Sequence, residues 1–171
     1  MSRIVIRRRA VVVLAVALVS AVPSCDPVHD DAVAALGPEA PGVRPGPLHR
    51  PGQPCRTCHD GTAGNPPEFT VAGTVFVNEN DTTPASGVGV TLTSANGASF
   101  TATTNAAGNF FVRPDEFTPA YPMGVLLIAS STAVRMSTLI GRDGSCATCH
   151  HDPAGPTSPG RVFLPANGVT P

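Results

Sequence analysis

Between residues 69 and 140 the chain alternates apolar and polar side chains at every second position, and no helical period competes with that pattern. Phe69, Val71, Gly73, Val75 and Val77 form the first run. Val88, Val90 and Leu92 form the next, then Phe100, Ala102 and Thr104, and later Val134, Met136, Thr138 and Ile140. Successive strand side chains point to opposite faces, so each run offers one face to a core and one to water. Residues 109 to 113 read as a further short strand. Residues 125 to 129 are apolar throughout, which predicts a central strand covered on both faces. Asn96-Gly97 falls between the second and third runs, a pair that tolerates the positive φ of a tight hairpin. Residues 105 to 108 make the next turn. The count is about six strands, and the class is all-β, a small antiparallel β-sandwich.

Two copies of one pentapeptide border this region: Cys55-Arg56-Thr57-Cys58-His59 and Cys146-Ala147-Thr148-Cys149-His150. They use four of the five cysteines and two of the five histidines. Cys-x-x-Cys-His is the attachment pattern of c-type haem. Its two thiols add to the two vinyl groups, and two intervening residues space the sulfurs by about one helical turn. The following imidazole then lies under the porphyrin, where it can bind iron. The pattern predicts two covalent haems, with Cys55, Cys58, Cys146 and Cys149 as attachment points and His59 and His150 as proximal ligands. The competing reading uses the cysteine pairs as disulfides or as an all-thiolate zinc site. It leaves both following histidines unexplained.

The N-terminus predicts export. Arg3, Arg7, Arg8 and Arg9 precede an apolar run over residues 10 to 19, and small residues follow at Ser20, Ala21 and Ser24. This is the layout of a secretory signal over residues 1–24. The run is short for a membrane span, the alternative being an uncleaved anchor. Cys25 is the odd cysteine. Val22-Pro23-Ser24-Cys25 resembles a lipoprotein signal, which would make Cys25 the lipidated first residue of the mature chain. Ordinary cleavage, leaving a spare thiol, is the alternative. A membrane attachment by lipid and a place in the periplasm, outer membrane or cell surface follow from the first reading.

All eleven basic residues are arginines, and four of them lie in the signal; the remaining seven face twelve carboxylates, a formal charge of −5. That balance argues against nucleic acid as a partner. An acidic surface would suit a basic redox partner protein, and equally simple solubility. Residues 25–48 are rich in proline and read as an extended linker. The first haem-binding segment is then 49–64, the β region 67–141 and the second haem-binding segment 142–152. Residues 153–171 are a C-terminal loop with a possible last strand.

A family resemblance attaches to the β region. Val71-Ala72-Gly73-Thr74-Val75, then Pro84-Ala85-Ser86-Gly87-Val88-Gly89-Val90-Thr91-Leu92, then Thr103-Thr104-Asn105-Ala106-Ala107-Gly108-Asn109-Phe110, resembles the carboxypeptidase regulatory-like domain. The resemblance covers roughly residues 69 to 113, with an extension toward Ile140. It implies a transthyretin-like (prealbumin-like) β-sandwich acting as a scaffold or docking module, without catalysis. The two Cys-x-x-Cys-His motifs are foreign to that family, so the chain looks like a sandwich with haem-binding loops added at its borders.

An even number of antiparallel strands returns the chain to the end where it began, which predicts both haems at one end. For the sixth ligands the candidates are His151, assigned to the first haem, and His49, assigned to the second. His29 falls in the linker, and Met123 and Met136 fall in strand patterns and read as core fillers. The whole chain resembles a dihaem c-type cytochrome that carries single electrons outside the cytoplasmic membrane. No acid–base cluster stands beside either motif, so no enzymatic activity is expected. The alternative from another class is a non-redox surface-binding lipoprotein with structural cysteine pairs.

Overall fold

The computed structural model describes residues 27–62 and 66–164. The export signal, Cys25 and residues 165–171 lie outside the described residues. The protein is mostly β, with two antiparallel sheets and few helices. In chain order the strands are β1 (Val71–Thr74), β2 (Gly89–Thr93), β3 (Ser99–Thr103), β4 (Asn109–Val112), β5 (Gly124–Ala129) and β6 (Thr132–Arg135). β1 pairs with β4, with Val71 opposite Val112 and Thr74 opposite Asn109. The other four form one sheet in the order β3-β2-β5-β6. Asn96-Gly97 sits in the β2–β3 hairpin, where Gly97 N–H donates to Ser94 O at 3.0 Å.

The two sheets share one core. Val71, Phe110 and Val112 come to it from the first, and Val90, Leu92, Ala102, Val125 and Leu127 from the second. Burying a valine, leucine or phenylalanine is worth about 1.5–3 kcal/mol, so this shared cluster ties the two sheets together. Met123 is fully buried in the same cluster, and Met136 packs against it from the edge.

Two strands depart from the sequence reading, in opposite directions. β5 is central by pairing, flanked by β2 and β6. Only one of its faces is covered: Val125 and Leu127 are buried, and Ile128 is 39 % exposed. The other sheet has only two strands, and an antiparallel sheet is free to leave its outer face to water. β1 was expected to alternate, yet all four of its residues are buried. The face that carries Thr74 is covered by the 47–52 loop, whose Gly52 N–H donates to Thr74 Oγ1 at 2.8 Å. The approach to the second Cys-x-x-Cys-His motif pairs along the strand's edge, where Ala72 bridges Ser145 in parallel and Ala72 N–H donates to Gly144 O at 2.9 Å. The chain after that motif returns as well. Phe76 N–H donates to Val162 O at 2.9 Å, and Leu164 N–H donates to Phe76 O at 3.1 Å.

The proline-rich segment is not simply extended. It opens with α1 (Pro27–Ala35), which has an acidic Asp30 in its first turn. Proline is tolerated at a helix start because its missing N–H would be unsatisfied there. Gly37, with φ +70, stands just past the end, and its N–H donates to Ala34 O at 3.1 Å. The prolines that block helix begin only at Pro38.

Candidate functional site

Both pentapeptides fold into the same single turn. In the first, which forms α2 (Arg56–His59), Cys58 N–H and His59 N–H both donate to Cys55 O, at 3.2 and 3.1 Å. In the second, a 3₁₀ turn (Cys146–Thr148), Cys149 N–H and His150 N–H both donate to Cys146 O, at 3.2 and 2.8 Å. The two cysteines of each copy therefore sit about one turn apart on one side of a short helical segment.

The histidines repeat one another too. His59 Nδ1 lies 2.9 Å from Pro67 O, and His150 Nδ1 lies 3.0 Å from Gly160 O. A carbonyl oxygen only accepts, so each Nδ1 carries the proton. In a neutral imidazole that leaves the lone pair on Nε2, the nitrogen a metal would take. Holding a ligating histidine by its second nitrogen fixes both tautomer and ring orientation.

The two motifs meet. Arg56, inside the first, donates from Nη1 to Asp143 Oδ1 at 2.9 Å, and from Nε to Phe69 O at 2.9 Å. Asp143 Oδ1 also accepts from Ser145 N–H at 3.0 Å, at the threshold of the second motif. Burial pushes the Cys146 thiol pKa up to about 12, and the neighbouring Cys55 adds to the shift. Burial likewise pushes Cys55 up to about 11. Gly73 and Gly144 make the junction possible. A Cβ at Gly73 would stand 2.7 Å from Cys146 Sγ and 2.8 Å from its Cβ, and one at Gly144 would run into the Thr70 carbonyl. Cys149, by contrast, is exposed.

Aromatic rings line the first motif. Phe69 lies 4.8 Å from the His59 ring and stacks on Phe111 at 4.9 Å. The His49 ring lies 5.9 Å from that of His59, with 41° between the planes. The sequence reading gave His49 to the second motif; the contact it makes is with the first. His49 Nδ1 stands 3.8 Å from Glu39 Oε2, which Arg50 Nε holds at 3.1 Å. His29 also reaches the first motif, with Nε2 2.7 Å from Thr57 O, so the linker histidine is a docking contact of α1. His151 was assigned to the first haem. Its backbone is pinned by Ser158, whose hydroxyl accepts from His151 N–H at 2.9 Å and donates to His151 O at 2.6 Å.

Sequence reasoning missed Arg56, Asp143, Glu39 and Arg50. Only Arg56 had a local signal, its place inside the motif. Among the described residues the four cysteines form no disulfide, and no group of three or more His, Cys, Asp or Glu is arranged to hold a bare metal ion. A haem asks less of a protein: two thioethers and one or two axial side chains. The donor set of each motif fits that demand, two thiols one turn apart and an imidazole tethered through Nδ1. Compared with models of protein families, with characterised proteins and with solved structures, the chain matches none.

Proposed function

We propose that the protein is an exported dihaem c-type cytochrome that carries single electrons. The observation that carries this reading is the repetition: two copies of one turn, each with its histidine tethered to a backbone carbonyl through Nδ1. A disulfide or a thiolate zinc site has no use for either tether. Cys55 and Cys58 would hold one haem and Cys146 and Cys149 the other, with His59 and His150 as axial ligands. Such a group supplies one-electron chemistry at iron when bound. The residues orient it: the turn sets the sulfur spacing, Pro67 O and Gly160 O set the imidazoles, and the Phe69–Phe111 pair gives the first site an apolar wall.

The β region would be the scaffold. Two antiparallel sheets sharing one core support a small β-sandwich of the transthyretin-like, carboxypeptidase regulatory-like kind. Lipidation at Cys25 would tether the mature chain to a membrane in the periplasm or at the cell surface. Basic redox proteins would be its partners.

The test is mass and spectrum. Protein made in a host with haem-attachment machinery should weigh two haems more than its polypeptide, and denaturation should not release them, because thioethers survive it. Cys58→Ala and Cys149→Ala should each remove one attachment. An apoprotein mass from a competent host would end the cytochrome reading.

A further inference from the structure

We infer that His49 is the sixth ligand of the first haem, the one held by Cys55, Cys58 and His59; this rests on the cytochrome reading above. The ring separation is the first observation. Two metal–imidazole bonds of about 2 Å each, plus the distance from each nitrogen to the centre of its ring, sum to about 6 Å. His49 and His59 stand at 5.9 Å. Two imidazoles on one iron need not be coplanar, so the 41° between the ring planes is no obstacle.

The second observation is the support behind His49. Glu39 Oε2 lies 3.8 Å from Nδ1, a charge contact beyond hydrogen-bond length, so a carboxylate stands on the Nδ1 side of the ring. Arg50 fixes Glu39 through Nε at 3.1 Å and also donates to Gln53 Oε1 at 2.8 Å and to Gly37 O at 2.9 Å. A carboxylate behind a metal-bound imidazole orients the ring and raises its basicity. Glu39 and Arg50 are positioning residues.

The third is the backbone of the loop, which is anchored to the β1–β4 pair. Thr74 and Asn109 face each other across the strands, both buried, and Thr74 Oγ1 donates to Asn109 Oδ1 at 2.7 Å. Asn109 Nδ2 donates to His49 O at 2.9 Å and to Pro47 O at 3.3 Å. Gly52 N–H donates to Thr74 Oγ1 at 2.8 Å. The histidine is thus presented on a segment held from both sides. This arrangement has a sheet-level anchor, a side-chain brace and a ring at ligand separation. The contacts His151 makes among the described residues are with Ser158.

The experiment is carried out on the full chain loaded with haem. His49→Ala should keep both thioether attachments, turn half of the haem high-spin and let the reduced form bind carbon monoxide at one site. Added imidazole should restore the low-spin spectrum, which a misfolded variant would not do. In a chain keeping only the first attachment site (Cys146→Ser with Cys149→Ser), His49→Ala should turn all the haem high-spin. If His49→Ala fails to accumulate, His49→Met decides, because a thioether ligand raises the potential: one haem should shift upward and remain low-spin. Glu39→Gln should raise the same potential without changing spin state. Two unaltered low-spin haems in His49→Ala, an unshifted potential in His49→Met, or carbon monoxide binding to the first haem of the unaltered protein would each overturn the assignment. None of these touches the cytochrome reading, which fails instead if the unaltered protein carries no covalent haem.

Discussion

Gly73 has room for a hydrogen and nothing larger, and that single fact ties a strand to a cofactor motif. A methyl there would press on Cys146 Sγ and Cβ and, at 3.0 Å, on the Phe110 ring. The Cys146 side chain packs against the core cluster, so moving it aside would disturb other contacts. Gly73→Ala should therefore destabilise the fold by about 1–3 kcal/mol, the usual cost of overfilling a packed site. Thermal or urea unfolding of the haem-free chain would measure it, and an unchanged midpoint would show that the motif is not seated on β1. Asn109 is the second residue of this kind. Its carboxamide satisfies Thr74 and two carbonyls of the His49 loop from a buried position. Asn109→Ala leaves those groups unpaired, at a cost of about 1–3 kcal/mol. Hydrogen exchange should meanwhile speed up at Gly52, whose N–H is held by Thr74.

At the scale of elements, the two motif turns are joined by one charge pair. Arg56 and Asp143 meet at 2.9 Å, with their side chains 26 % and 40 % exposed. Water screens such a pair, so its worth is at most about 1 kcal/mol. Asp143→Asn is the clean probe, because an amide oxygen still accepts from Ser145 N–H. It should cost about 0.5–1 kcal/mol at low salt and less at high salt, with the difference shrinking as the Debye length falls. An Arg56→Ala, Asp143→Asn cycle without coupling would show the motifs to be independent. β2 and β3 were legible in the sequence because each buries one face, and a two-residue period records that directly. β1 was only half legible: its alternation said nothing of the cover that the 47–52 loop gives its Thr74 face, nor of the edge pairing with residues 144–145, more than seventy positions away. α1 carried a local signal, proline first and glycine just past the end, that the many later prolines masked. The motifs themselves were wholly local and were read in full. Their meeting through Arg56 and Asp143, 87 positions apart, and the placing of His49 beside His59 depend on tertiary packing that no short pattern encodes.

At the scale of the whole molecule, the topology gathers one end of the fold around both motifs. β1 is the shared floor: it continues from the first motif through Phe69, whose N–H donates to His59 O at 2.8 Å, and carries the second across Ala72 and Gly73. The even strand count is not what brings the motifs together, because the chain does not run as a simple meander: β1 and β4 leave the larger sheet and pair with each other, and the motifs meet through Arg56 and Asp143. Two haems attached there would sense each other's charge. Inside a protein such an interaction falls only inversely with distance and is weakly screened. Reducing one should then make the other harder to reduce. The check is three potentiometric titrations: the full protein, a chain with only the first attachment site and a chain with only the second. The full protein should titrate over a wider span than the sum of the two single-haem curves. A titration equal to that sum would mean that the haems do not interact, and the meeting of the two motifs at Arg56 and Asp143 would then have no consequence for electron flow.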